Sequence, residues 1–171
     1  MLANTPSMAS PLQKHRVFMA NDLQWISGMM ETLGSPHNYI NQDNLDFFTV
    51  HQAHITPWTF TGLPSTHADR IVLARSNVQL LGFPEPEAIE QFRSPPRTDT
   101  LILNLSLAVV RGDVPFLSEA QLHNFLDFWK GLFFPIAEGR VHYLVTGAAE
   151  LPSRTSVLYV NRRSLLSYVH A

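Results

Sequence analysis

Two stretches of this chain, about 86 residues apart, carry the same features in the same order. That echo constrains the fold more than any single motif does. His37-Asn38-Tyr39, Phe47-Phe48-Thr49-Val50, Thr61-Gly62 and Ile71-Val72-Leu73-Ala74-Arg75-Ser76-Asn77-Val78 return in order. The second set reads His123-Asn124-Phe125, Phe133-Phe134-Pro135-Ile136, Thr146-Gly147 and Leu158-Tyr159-Val160-Asn161-Arg162-Arg163-Ser164-Leu165. Small gaps align the two sets, so the copies share spacing as well as residues. A tandem duplication of one small unit accounts for such a pattern. A unit of roughly 70 residues encloses only a modest core, so two copies must pack closely or exchange strands.

Local patterns place elements inside each copy. Leu101, Leu103, Leu105, Leu107 and Val109 alternate with Asn104, Ser106 and Ala108, the period-two signature of a half-buried strand over Leu101–Val110. Arg111-Gly112-Asp113 should end it. Ser118 with Gln121 forms a capping box, and Leu122, Phe125, Leu126 and Trp129 follow at helical spacing up to Gly131, which predicts a helix over Glu119–Lys130. Its counterpart starts at Ser35-Pro36 and is cut short near Asn41 and Asn44. Strands beginning with a Phe pair follow at Leu45–Ile55 and Leu132–Thr146, then loops at Thr61–Ala68 and Gly147–Ser153. Each copy closes with strand, tight turn and strand: Arg70–Ala74 then Val78–Phe83, and Ser156–Val160 then Leu165–His170. Val157-Leu158-Tyr159-Val160 is apolar on both faces, which argues for burial between layers or inside a barrel.

The expected architecture is α+β but mainly β. It comprises two similar small sheet or barrel modules, each with one short helix, related by a pseudo-two-fold. Residues 1–16 read as a flexible arm, 17–83 as the first module, 84–99 as a Pro-rich linker and 100–171 as the second module. Trp25, Phe47, Phe48, Trp58, Phe125, Trp129, Phe133 and Phe134 are the expected core and interface residues.

Composition narrows the function. Charged residues make up only 15% of the chain, against eleven Phe and three Trp, so some apolar surface should be covered by a protein partner or a second copy. A net charge of −2 supplies no global pull on a polyanion, so nucleic acid would need a local basic patch. Without cysteine there is no disulfide, thiolate metal site or cysteine nucleophile. Nothing reads as a signal peptide, and no apolar run approaches the about twenty residues of a membrane-spanning helix, which makes the cytoplasm the expected compartment.

Motifs for chemistry are sparse. His51 and His54 are the only close histidine pair, but three residues apart on a strand they point to opposite faces unless a bulge intervenes. No Gly-flanked nucleophile elbow or Gly-rich phosphate loop occurs. No catalytic residue, metal site or cofactor is therefore assigned. The binding candidates are the turn Asn161, Arg162 and Arg163, its counterpart Arg75, and the recurring His37 and His123, which read as bracing groups on the solvent-leaning side of each helix. Two arginines on a tight turn can engage phosphates.

The strand, short basic turn and strand resemble the last two strands of Sm-like and Hfq-like small β-barrels, where a comparable turn lines the RNA-binding pore of a ring. The likeness covers about 13 residues per copy and lacks the Arg-Gly pair of those proteins. In order of elements, Phe133-Phe134-Pro135-Ile136 and Val160-Asn161-Arg162-Arg163 are similar to small bacterial domains of unknown function, from which the first copy departs at Thr49 and Ala74. The expected function is a non-enzymatic protein-interaction or assembly module. The alternatives are a nucleic-acid-binding or ligand-sensing small-barrel protein using Arg162 and Arg163, and an enzyme with an unrecognised site.

Overall fold

A computed structural model describes residues 12–85, 97–116, 126, 127, 129–147 and 151–171. Ten strands run in the order β1 (Leu12–Ala20), β2 (Gln24–Leu33), β3 (Phe47–Pro57), β4 (Thr66–Ala74), β5 (Leu80–Gly82), β6 (Arg97–Asn104), β7 (Ala108–Phe116), β8 (Phe133–Tyr143), β9 (Arg154–Asn161) and β10 (Ser167–His170). Helix α1 (Pro36–Ile40) joins β2 to β3. It is capped by Ser35, whose Oγ accepts from Asn38 N at 3.2 Å, with Pro36 in the first turn. Single 3₁₀ turns at Arg75–Asn77 and Arg162–Ser164 join β4 to β5 and β9 to β10.

All ten strands belong to one antiparallel sheet, in the order β10-β6-β7-β8-β9-β5-β1-β2-β3-β4. This overturns the expected fold class, since there are not two separate sheet or barrel modules each bearing a helix. Among the described residues α1 is the one complete helix. Leu126 and Asp127 are helical, while residues 117–125 and 128 of the second expected helix lie outside the described residues. The pseudo-two-fold fails as well. Across the sheet, β10-β6-β7-β8-β9 is followed by β5-β1-β2-β3-β4, so the halves stand head to tail. A two-fold would bring like edges together, β5 to β10 or β4 to β9. The reason lies in the both-faces apolar strands: β5 and β9 bury both surfaces and satisfy their free backbone groups on each other, through Leu80↔Val160, Leu81↔Tyr159 and Gly82↔Leu158.

Strand pairing repeats residue by residue between the halves. Val17↔Gly28 in β1–β2 matches Leu101↔Gly112 in β6–β7. Phe48↔Leu73 in β3–β4 matches Phe134↔Val160 in β8–β9, and Met19↔Leu81 matches Leu103↔Tyr168. Each half has one bulge, at Ser27/Met29 opposite Gln52 (φ 49°) and at Arg111/Asp113 opposite Glu138 (φ 50°). Glycine is required at both bulges because the facing backbone is so near. A Cβ on Gly28 would lie 2.6 Å from His51 O, and one on Gly112 would lie 2.8 Å from Ala137 O.

Two apolar clusters lie on opposite faces of the central strands. Phe18, Ala20, Leu80, Leu158 and Val160 pack with β6–β8, while Val17, Met19, Leu81, Val157 and Tyr159 pack with β2–β4. The outer strands of each half thus cover opposite faces of β9, β5 and β1. Val157 to Val160 are all buried, as their two-faced apolar pattern implies. Several sequence expectations move. The alternation over Leu101–Val110 is a hairpin, with Leu105 and Leu107 buried in the connection and Leu105 N donating to Ala108 O at 2.9 Å. Arg111-Gly112-Asp113 runs on inside β7, opposite a bulge in β8, rather than ending the strand. Strand β1 takes up residues 12–16 of the expected arm and β6 takes up residues 97–99 of the expected linker, of which 86–96 lie outside the described residues. Of the expected core, Trp25, Phe48, Trp58, Phe133 and Phe134 are buried, Trp129 is half-buried, Phe47 is exposed, and Phe125 lies outside the described residues. No helix among the described residues is long and apolar enough to cross a membrane.

Candidate functional site

The two 3₁₀ turns meet where the halves join. Between them runs a shallow groove of about 320 Å³ whose charged lining is Asp43, Asp46, Arg75, Lys130, Arg162 and Arg163. The fold therefore brings Arg75 together with Asn161, Arg162 and Arg163, although 86 residues separate Arg75 from Asn161 in the chain.

Two of the three arginines hold the chain itself. Arg75 Nη1 donates to the carbonyls of Ile40 at 3.0 Å and Gln42 at 2.7 Å, which closes the C-terminal end of α1. Arg162 Nη1 does the same in the second half, donating to Leu126 O at 3.1 Å and Trp129 O at 2.7 Å. A cation there satisfies carbonyls left without partners at a helix end and faces the negative end of the backbone dipole. Burial pulls the Arg75 guanidinium below its ordinary value, Asp43 and Asp46 push the other way, and Arg163 adds a small repulsion. Arg163 is exposed, and among the described residues its side chain holds no helix-end carbonyl of the kind that Arg75 and Arg162 hold.

Asn161 is fully buried and fastens the junction. Its Nδ2 donates to Ser76 O at 3.0 Å and Val78 O at 2.8 Å, and its Oδ1 accepts from Arg163 N at 2.9 Å. Its backbone N–H donates to Gln79 O at 2.9 Å. Asn41 forms a second clamp: Nδ2 donates to Phe133 O at 3.0 Å and Oδ1 accepts from Phe133 N at 2.8 Å, so one amide pairs both backbone groups of a strand residue in the other half. Gly131 makes room for it, since a Cβ there would sit 2.5 Å from Asn41 Oδ1. From sequence Asn41 reads only as a helix stop; nothing local reveals a partner 92 residues away.

His37 sits against the junction rather than leaning to solvent. Its ring lies 5.7 Å from that of Tyr159 and 6.3 Å from that of Trp129, and burial lowers its pKa. Its Nδ1 is buried with no hydrogen-bond partner among the described residues, so the ring serves as a neutral packing group. The same burial pushes the Tyr159 phenol well up. His123 lies outside the described residues.

A wider cleft of about 740 Å³ opens beside β1, β2 and the start of β9, with Arg16, Trp25, His54, His67 and Arg154 on its walls. The bulge at Gln52 separates His51 from His54, and His54 faces His67 on β4 with ring centroids 4.4 Å apart. Among the described residues no three His, Cys, Asp or Glu side chains are grouped to hold a metal ion.

The sheet has two open ends. Among the described residues β4 pairs only with β3, and β10 only with β6. Phe47, Val72, Leu166 and Val169 stand exposed at these ends. Comparison of the sequence with protein-family models and curated proteins, and of the fold with solved structures, finds no match.

Proposed function

We propose that this chain is a non-enzymatic assembly module, a tandem duplication of a five-stranded unit whose working surfaces are the two open ends of its sheet. One observation carries the reading. The apolar residues exposed at the open ends have their repeat counterparts fully covered at the internal junction. Phe47 is 58% exposed where Phe133 is 0%, and Val72 is 55% exposed where Tyr159 is 3%. An uncovered strand edge flanked by large apolar side chains is a template for another polypeptide. The matched bulges and pairings of the two halves support the duplication. Against a phosphate-binding turn, Arg75 and Arg162 are committed to backbone carbonyls, and Arg163 shares its groove with Asp43 and Asp46.

The test places a photo-crosslinking amino acid at Val72 in the producing cell, with exposed Leu33 on β2 as the control position. A polypeptide adduct from position 72 and none from 33 is the expected outcome. No polypeptide adduct at 72, or equal adducts at both, would overturn the reading.

A further inference from the structure

The internal junction shows how an open edge of this sheet is covered. β5 of the first half lies on β9 of the second, and the repeat makes β10 the counterpart of β5 and β4 the counterpart of β9. The two open edges are therefore the two halves of the same junction, held apart at opposite ends of one chain. Like edges do not meet, so the matching partner of β4 on any molecule is β10 on another.

We propose that a second copy of this chain lays its β10 on the free β4, head to tail, in the register Ser167↔Leu73, Tyr168↔Val72 and Val169↔Ile71. This rests on the reading of the sheet ends as the working surface. The register is the internal one, Leu80↔Val160, Leu81↔Tyr159 and Gly82↔Leu158, carried to its repeat positions. The backbone is ready for it. Asn161 N points at β5 to reach Gln79 O, and strand alternation turns the N–H of Tyr159 the same way. The counterparts Ala74 and Val72 accordingly aim their N–H groups out of the open edge. Contacts of this head-to-tail kind close into a ring or run on as a chain of molecules.

Three sequence differences make the junction between copies weaker than the internal one. Ala74 stands where Asn161 does, so two hydrogen bonds to the facing turn, whose repeat acceptors are the carbonyls of Arg163 and Leu165, cannot form. Asp127 stands where Asn41 does, and its side chain has no amide N–H, so the bond that Asn41 Nδ2 gives to Phe133 O has no counterpart at Phe47 O. Leu45 replaces Gly131 and leaves less room beside it. The internal junction is built to be permanent and the external one to depend on concentration.

Light scattering on the purified full chain over a concentration series tests this. Wild type is expected to grow in mass with concentration. Val72→Pro removes an N–H that faces the open edge, a place where a strand tolerates proline, and should stay monomeric. Ala74→Asn restores the missing donors and should move the half-assembly point to about tenfold lower concentration, worth about 1.4 kcal/mol per junction. Val72→Pro keeps its β10, so in excess it should cap wild-type assemblies and reduce their mass. A wild type that is monomeric throughout, an Ala74→Asn variant that assembles no better, or wild-type assemblies untouched by excess Val72→Pro would each overturn the proposal. If Val72→Pro does not fold by circular dichroism, the Ala74→Asn comparison decides alone. Crosslinks from position 72 to a different protein, with the isolated chain monomeric, would sink this inference and leave the edge reading standing; crosslinked peptides spanning Ser167–His170 of the same chain would support both.

Discussion

Replacing Asn161 by alanine removes three hydrogen bonds from a fully buried position: those from Nδ2 to Ser76 O and Val78 O, and the one Oδ1 accepts from Arg163 N. At about 1 kcal/mol for each bond the loss is about 3 kcal/mol, and more where a carbonyl is left dry. The turn itself does not need the asparagine, since Ala74 holds the corresponding place with the same 3₁₀ geometry. The cost therefore falls on the junction. For a chain of this size it corresponds to a drop in melting temperature of roughly 6–12 °C.

Asn161→Asp separates the hydrogen-bond account from a simple loss of volume. The aspartate is isosteric and can still accept from Arg163 N, but as a carboxylate it sets negative oxygen against two carbonyl oxygens. We expect it to be worse than alanine at neutral pH by about 1–3 kcal/mol. Burial and the facing carbonyls raise the pKa of the new carboxyl in the fold above the unfolded value of about 3.9. Between those two values the folded state binds the extra proton, so stability rises as pH falls. The gap between the two variants should narrow toward pH 4. Urea unfolding of wild type and both variants at pH 7 and pH 4.5 measures this. An aspartate variant as stable as the alanine variant at pH 7, or an alanine variant within about 0.5 kcal/mol of wild type, a shift in the range of ordinary surface changes, would refute the assignment of Asn161 as a junction clamp.

Two further outcomes follow from the same contacts. Gly28→Ala and Gly112→Ala should each lose about 1–3 kcal/mol through overpacking at a bulge, whereas Gly147→Ala, whose Cβ would meet Trp58 at an ordinary 3.5 Å, should melt close to wild type; thermal melts of the three variants decide it. His37 is held below its ordinary pKa by burial, so the unfolded chain takes up its proton first and stability should fall as pH drops through about 6.5. Because His15 is also lowered by burial, the slope is shared, and His37→Phe should flatten it in part; urea midpoints between pH 7.5 and 5.5 that fall equally in both proteins would contradict this role.

What could be read from sequence was pattern, and what could not was partnership. Val157 to Val160 declare a strand buried on both faces because no polar residue interrupts them, and the structure places β9 between two apolar clusters. The same logic misleads at Leu101–Val110. A hairpin whose connecting residues are also buried keeps the alternation running, so period two cannot tell one long strand from two short ones. β1 gives a mixed signal, since Leu12 to Arg16 are polar or exposed and only Val17 to Ala20 are buried. The repeat pointed to two alike units, but not to one shared sheet, because that depends on which edge meets which. The arginine turns stood out through their doubling. Their targets did not, since the carbonyls they hold lie 33 to 36 residues away in the chain.

The differences between the copies carry more than the likenesses. Where the halves meet, two asparagines clamp the junction, Asn41 on Phe133 and Asn161 on the turn from Ser76 to Val78, and Gly131 leaves space for the first. At the open ends the same positions hold Asp127, Ala74 and Leu45. Two identical units would associate equally well within and between chains, with nothing to distinguish a fold from an aggregate. In the proposed assembly, strong clamps at one junction and weaker pairing at the other divide the two roles: the chain would fold as a unit at any concentration and join a second copy only when enough of it is present. That division predicts an order of events on dilution: the contacts of β4 with β10 must be lost while those of β5 with β9 remain intact. Hydrogen exchange at the amides of Val72 and Ala74, followed against those of Tyr159 and Asn161 across a dilution series, reads it directly. Simultaneous loss of protection at all four would show the junctions to be equal.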